Sequence, residues 1–92
     1  MYTRQTTVCN KSGLHARPAA DLVKEAIKFK SSITIHKNEQ PGTKVNAKSL
    51  VLVLSLSVAC GSQIGITAEG ADEQEAVDTL IAVVESGFGE KE

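Results

Sequence analysis

Apolar residues recur along this chain with two different periods, and segments of the two kinds alternate. Helical spacing, with apolar residues three and four positions apart, occurs in two runs: Ala19, Leu22, Val23, Ala26 and Ile27, then Ala76, Val77, Leu80, Ile81 and Val84. Residues 3–9, 32–37, 43–47 and 63–69 are instead rich in β-branched residues or alternate between apolar and polar, which is typical of strands. Because each element has one apolar face, we expect helices covering one side of an antiparallel sheet.

Turn and capping residues mark the ends of these elements. Residues 10–13 form a cluster of turn formers after the first strand, and residues 38–42 are predicted to be the loop between the second and third strands. Asp72, followed three positions later by Glu75, resembles a capping box at the start of the last helix. Gly87 is a natural stop for that helix.

One segment is ambiguous. Residues 49–58 are almost continuously apolar, and by periodicity alone such a run suits a buried strand or a short helix equally well. The local sequence favours a strand. The predicted order is therefore strand, helix, strand, strand, this undecided element, strand and helix.

The size and charge of the chain limit the classes of function that it can have. Ninety-two residues suit one domain, 1–92, without room for both a substrate cleft and a second lobe, so any activity lies on the surface. A formal net charge of -1 gives no overall basic field, which argues against nucleic-acid binding. The longest apolar stretch, around residues 50–60, is too short to span a bilayer, and residues 1–8 do not resemble a signal peptide. We expect a cytoplasmic protein without membrane insertion.

Three side chains of reactive types, those of Cys9, Cys60 and His36, belong to no recognisable site in the sequence. Cys9 and Cys60 are far apart in the sequence and belong to no metal-binding spacing, so we expect reduced thiols and neither a metal nor a cofactor. His36 falls on the outer face of its strand, where we expect an inert surface residue. An independent hydrolase is disfavoured, because the sequence presents no paired carboxylates or nucleophile with a base.

The most informative segment, residues 12–20, lies where the first strand meets the first helix. Gly13 permits a turn that other residues resist, and Pro18 falls in the first helical turn, where its missing N–H costs no intrahelical bond. His15 is thus predicted at or next to the helix N-cap. The unpaired N–H groups of Ala16 and Arg17 would point toward whatever His15 carries.

These parts suit phosphoryl chemistry. A helix N-terminus offers free amides and a positive dipole end to an anion, and the same dipole disfavours imidazolium, which leaves a ring nitrogen of His15 as a nucleophile. Arg17 can pair with the phosphoryl oxygens. We predict His15 and Arg17 as the reactive pair and Ser12, Ala16 and Arg17 as phosphate-binding residues. The alternative is that His15 is an ordinary polar cap and Arg17 a solvated helix residue.

Residues 13–19, Gly-Leu-His-Ala-Arg-Pro-Ala, resemble the active-site signature of the HPr family, the histidine-containing phosphocarriers of the bacterial phosphoenolpyruvate-dependent phosphotransferase system. Residues 45–50 are similar to the second signature of that family, and residues 55–56 and 70–73 fit its later segments. The resemblance implies an α+β fold, an open-faced β-sandwich of order βαββαβα, with a four-stranded antiparallel sheet covered on one face by three helices. Residues 49–58 would then form a short helix, against the local preference.

The same resemblance implies an activity. His15 would receive a phosphoryl group on Nδ1 from phosphorylated Enzyme I and pass it to Enzyme II A domains for sugar uptake. The protein would then be a stoichiometrically phosphorylated carrier, not an enzyme, and we expect a monomer. The alternative is a paralogue of a non-sugar branch, serving nitrogen regulation or dihydroxyacetone kinase.

Ser49 is a second candidate site. Its plain structural role is to cap the element that it begins. In Gram-positive members of the family the matching serine is phosphorylated, which implies HPr kinase/phosphorylase and a catabolite-control regulator as candidate partners. A regulatory binding module controlled through Ser49 is therefore a further alternative. Residues 51–54, Val-Leu-Val-Leu, depart from the usual Met-Gly-Val-Met of the family and lack its adaptable methionines, which bears on kinase recognition.

An apolar docking patch beside His15 is also predicted, bordered by basic side chains. The candidate partner interface comprises Lys24, Leu50, Val51 and Leu54. The alternative is that at least two of the three apolar residues belong to the core. Exposed apolar side chains here would imply transient partners with acidic rims around an apolar groove.

Overall fold

The computed structural model describes residues 1–38 and 40–89, except for the side chains of Pro41 and Thr43. Its elements follow the order βαββαβα and end in a single 3-10 turn. They are β1 (Tyr2–Thr7), α1 (Ala16–Ile27), β2 (Ser32–Lys37), β3 (Gln40–Asn46), α2 (Leu50–Ser55), β4 (Gln63–Glu69), α3 (Glu73–Glu85) and the 3-10 turn (Gly87–Gly89).

The four strands form one antiparallel sheet in the order β1-β4-β2-β3. Helix α3 packs on β1 and β4, and α1 packs against α2 and α3, so the helices lie together on one face. The expected open-faced sandwich is confirmed. Strand β3 begins at Gln40, inside the segment predicted to be a loop, and as an edge strand it tolerates Pro41.

The alternation of the strands sets the core. Ile33 and Ile35 of β2 and Ile64 and Ile66 of β4 are almost completely buried on the side that faces the helices. Ile27 is different: helical spacing assigned it to the buried face, but α1 ends at this residue and the side chain is 60% exposed.

The local preference for a strand over residues 49–58 is wrong, because Leu50–Ser55 form helix α2. Ser49 is its N-cap and accepts a 3.4 Å hydrogen bond from the backbone N–H of Leu52. Val53 is the buried residue of this helix. The local preference failed because it treats every apolar residue as a buried one, whereas most apolar side chains of α2 face solvent.

The expected capping box at α3 is also wrong. Asp72 is the N-cap residue, but its side chain makes no capping bond and Glu75 is exposed. The Asp72 carboxylate instead accepts bonds from the backbone N–H groups of Lys30 and Ser31, both at 2.9 Å, and from the Ser31 hydroxyl. The Ser31 hydroxyl and then the Lys30 amide hold the pKa of Asp72 down at about 2. The carboxylate thereby ties the start of α3 to the connection between α1 and β2.

His36 lies on the face opposite the helices, as predicted, but it is not a surface residue. Only 8% of its surface is exposed. The residue paired with it on β4 is Gly65, and the imidazole fills the space that a side chain at that position would take. A Cβ atom on Gly65 would lie 2.4 Å from His36 Cε1. Burial, and next the charge of Lys44, lower the pKa of His36. A residue-by-residue pattern cannot show this, since the burial comes from the glycine across the sheet.

Candidate functional site

A turn of fixed geometry carries the chain from β1 to α1. The buried Asn10 side chain donates from Nδ2 to the carbonyl of Gly13 at 2.9 Å, and the Gly13 N–H donates to the Asn10 carbonyl at 3.1 Å. Leu14 is fully buried, and its N–H donates to the carbonyl of Val58 at 2.9 Å. Gly13 has φ +68, and a Cβ atom there would lie 2.4 Å from that same Val58 oxygen. The residue before His15 is therefore held between two segments of the chain.

His15 is the N-cap of α1, as predicted, with extended backbone angles of φ -122 and ψ 155. Its side chain is exposed and makes no capping hydrogen bond, so the alternative of an ordinary polar cap is wrong. Ala16, the first residue of α1, has φ 47, a conformation that residues with a side chain rarely adopt. Pro18 is buried in the first turn. The imidazole is thus presented to solvent at the beginning of a helix.

The surroundings of His15 favour an anion. The first turn of α1 contains no acidic residue, and its amides have no intrahelical acceptor. Arg17 is exposed, and its guanidinium makes no hydrogen bond or ion pair with the described residues. Ser12 and Ala16 are exposed on the same stretch of chain. The predicted reactive and phosphate-binding residues therefore lie together at one helix end, where the arrangement can receive a phosphoryl group.

The predicted docking patch is exposed. Leu50, Val51 and Leu54 all face solvent, with Val51 at 75%, so the alternative that most of them are core is wrong. Leu52 is exposed as well and was not predicted. We call these four residues the α2 patch. Helix α2 packs against α1, and Lys24 is exposed in the last turn of α1.

The other sequence candidates have plainer roles. Ser49 is half-buried and caps α2, while its phosphorylation stays a prediction. Cys9 and Cys60 are exposed free thiols. Within residues 1–38 and 40–89, no three metal-ligating side chains gather in a group. Nor does that part of the chain hold a helix of sufficient length and hydrophobicity to cross a membrane.

Comparison with known proteins places these features in a family. The family model described as "PTS HPr component phosphorylation site" matches residues 2–86. The phosphocarrier protein HPr of Cupriavidus necator is 42% identical over 92 residues, which is the whole of both chains. The HPr-like protein Crh of Halalkalibacterium halodurans is 49% identical over 92% of this chain and 98% of its own. The phosphocarrier protein NPr of Proteus mirabilis is 41% identical over 95% of this chain and 94% of its own.

Solved structures agree. HPr-C-His from Thermoanaerobacter tengcongensis superposes with a TM-score of 0.92 at 44% identity, over all of both chains. An HPr dimer from the same organism matches with a TM-score of 0.76 at 46% identity, over 98% of this chain and 100% of that chain. The length of the matches, the identities and the shared fold all point the same way. This chain belongs to the HPr family of phosphocarriers of the phosphotransferase system.

Proposed function

We propose that this protein is a phosphocarrier for sugar uptake, in which His15 accepts a phosphoryl group from phosphorylated Enzyme I and passes it to Enzyme II A domains. The observation that carries the proposal is the exposed imidazole at the N-terminus of α1, which takes no part in capping the helix. Arg17, two residues further on, has no partner among the described residues and is available to an incoming phosphate.

The chemistry follows from this arrangement. In the neutral imidazole, Nδ1 has a lone pair that attacks phosphorus, so a P–N bond forms while the bond from phosphorus to the donor breaks. The first amides of α1 and the Arg17 guanidinium stabilise the charge on the phosphoryl oxygens during transfer. Passing the group on restores the starting imidazole. The protein is thus a carrier that is consumed and regenerated, and we propose no independent enzymatic activity.

The α2 patch supports the docking part of the proposal. Exposed leucine and valine side chains on a helix that packs against α1, with the cationic Arg17 and Lys24 exposed on α1, fit partners that carry an apolar groove with an acidic rim. Such contacts are small and transient, which suits a carrier that must leave each partner. We propose a cytoplasmic monomer made of the single domain 1–92, and light scattering in solution tests the monomer.

A phosphoryl-transfer assay tests the proposal directly. The protein is incubated with labelled phosphoenolpyruvate and Enzyme I, and we expect a label that is lost in acid and kept in base. His15→Ala should abolish labelling and keep the fold, because the side chain makes no hydrogen bond that caps the helix. His36→Gln, at the other histidine of the chain, is the matched control and should keep the label. No label on the wild type, or an unchanged label on His15→Ala, would overturn the proposal.

The non-sugar branch is the second candidate function. It is favoured by the relative named NPr, which is nearly as similar to this chain as the relative named HPr, at 41% and 42% identity. Parallel assays with the Enzyme I of a sugar system and with its nitrogen-branch paralogue distinguish the two. The sugar assignment requires faster labelling by the sugar enzyme, and the reverse order would replace it with the non-sugar assignment.

A further inference from the structure

The two cysteines of the chain lie side by side in the fold. Cys9 follows β1, and Cys60 lies in the turn that leads into β4. Cys60 Sγ is 3.8 Å from the carbonyl oxygen of Cys9, although the two residues are 51 positions apart in the sequence. Cys9 Sγ lies 3.8 Å from the carbonyl oxygens of Val84 and Glu85 at the end of α3. Both thiols are free and exposed, and the phosphoryl chemistry of His15 uses neither.

The hydrogen bonds at the end of the β1–β4 pairing explain this proximity. The N–H of Val8 donates to the carbonyl of Ser62 at 2.8 Å, and the N–H of Gly61 donates to the carbonyl of Val8 at 2.7 Å. Two successive residues, Gly61 and Ser62, therefore bond to Val8, and this bulge, with Gly61 at φ +91, brings Cys60 beside Cys9 where the β1–β4 register alone would place Gly61. A disulfide needs Cα atoms about 4.4–6.8 Å apart. Because Cys60 Sγ already lies 3.8 Å from the backbone of Cys9, we expect rotation about the side-chain bonds to bring the two sulfur atoms together.

We propose that Cys9 and Cys60 form a modification site, which a low-molecular-weight disulfide such as oxidised glutathione converts into an intramolecular disulfide. One cysteine thiolate attacks a sulfur of oxidised glutathione, forms a mixed disulfide and releases one glutathione thiol. The second thiolate attacks the protein sulfur of that mixed disulfide, forms the Cys9–Cys60 bond and releases the second glutathione. The two cysteines lose two electrons and two protons in all, and one oxidised glutathione becomes two thiols.

This disulfide would link the two segments that hold the turn before His15. Cys9 directly precedes Asn10, whose side chain and carbonyl hold Gly13. Cys60 lies two residues after Val58, whose carbonyl accepts a hydrogen bond from the N–H of Leu14. The two segments that fix this turn would then be joined covalently as well as by hydrogen bonds. Because the bond also closes a long loop of the unfolded chain, the oxidised protein should unfold at a higher temperature.

Oxidation followed by peptide mapping tests the site. The wild-type protein, at low micromolar concentration, is incubated with oxidised glutathione, alkylated and digested with trypsin without reduction. We expect a linked pair of peptides, residues 5–11 and residues 49–91, from a monomer that has lost two hydrogen atoms. The melting temperature should rise by about 5 °C or more. Dithiothreitol should reverse both changes.

Three variants control for position. Cys9→Ser and Cys60→Ser should each give one mixed disulfide with glutathione and no linked peptides. Ala59→Cys combined with Cys60→Ser keeps two thiols but moves one of them a single residue along the same exposed turn, so cross-linking should be slower by about tenfold or more. The proposal is overturned if the wild type accumulates only mixed disulfides or linked dimers, or if the displaced thiol cross-links as fast as the native one. None of these measurements depends on phosphoryl transfer.

Discussion

The backbone N–H of Leu14 donates a 2.9 Å hydrogen bond to the carbonyl of Val58, and both residues are fully buried. Leu14 immediately precedes the proposed phosphoryl acceptor, His15, and Val58 follows helix α2, whose apolar surface is the proposed docking site. This hydrogen bond therefore fixes the backbone next to His15. It also joins that backbone to the segment that follows α2.

Replacing Gly13 with alanine should damage the site and the fold together. Its φ is +68, and a Cβ atom would lie 2.4 Å from the oxygen of Val58 and 2.8 Å from Cα of Ala59. Both are backbone atoms that cannot rotate away, so we expect Gly13→Ala to lower the free energy of unfolding by about 1–3 kcal/mol. Labelling of His15 should slow as well. Gly42→Ala is the control, because a Cβ there meets nothing within 4 Å; equal losses in the two variants would contradict this explanation.

Arg17→Ala should affect transfer and leave stability unchanged. The guanidinium is exposed and has no partner in the described part of the chain, so its loss breaks no contact of the fold. We expect the rate of phosphoryl transfer to fall about 10- to 100-fold, measured in rapid-quench assays with phosphorylated Enzyme I. Lys28→Ala, an exposed cation beyond the other end of α1, is the control. A transfer rate for Arg17→Ala close to that of Lys28→Ala would remove Arg17 from the mechanism.

Substitutions of two valines of α2 should distinguish an effect on docking from an effect on stability. Val51 is exposed and Val53 is fully buried, yet they lie two residues apart in one short helix. Val51→Asp should raise the KM for this protein as the substrate of Enzyme I by about tenfold with little change in Tm. Val53→Ala should lower the free energy of unfolding by about 1–3 kcal/mol and leave the KM nearly unchanged. If Val51→Asp leaves the KM as it was, the α2 patch is not the docking site for Enzyme I.

Acid should remove a contribution that Asp72 makes to stability. Hydrogen bonds from Ser31 and Lys30 lower the pKa of the Asp72 carboxyl from its usual 3.8 to about 2 in the folded protein. A carboxyl that stays ionised in the folded state stabilises it fully above pH 4, and this stabilisation disappears as the pH falls toward 2. Urea unfolding should therefore show Asp72→Asn as the less stable protein at pH 7, with the difference shrinking between pH 4 and pH 2. A difference that stays constant over this range would assign the loss to packing.

Local sequence patterns were sufficient for the elements that bury one face, and they failed where an apolar or polar residue has a partner far along the chain. The local sequence of residues 49–58 favours a strand over a helix because exposure of the α2 patch cannot be inferred from hydrophobicity. Asp72 is a residue type that commonly caps helices, but its carboxylate accepts hydrogen bonds from the loop before β2. His36 is buried against a glycine on β4, and Cys9 lies beside Cys60 only because Gly61 and Ser62 both bond to Val8.

The candidate site was predicted more completely than the rest because its parts are contiguous. Gly13, His15, Arg17 and Pro18 lie within six residues, and helix-end rules act over that distance. The left-handed conformation of Ala16 was not foreseen, since an alanine gives no signal for a positive φ. The resemblance to the HPr family supplied the helix at residues 50–55 that local reasoning missed.

Locating the phosphate after transfer is the most direct test of the role of His15. The protein is phosphorylated with phosphoenolpyruvate and Enzyme I, digested with trypsin at a mildly alkaline pH that preserves phosphohistidine, and analysed by tandem mass spectrometry. The chain offers three well-separated peptides: residues 12–24 with His15, residues 31–37 with His36, and residues 49–91 with Ser49. We predict one phosphate, on His15 in residues 12–24. Phosphate on either other peptide, with residues 12–24 unmodified, would contradict this account.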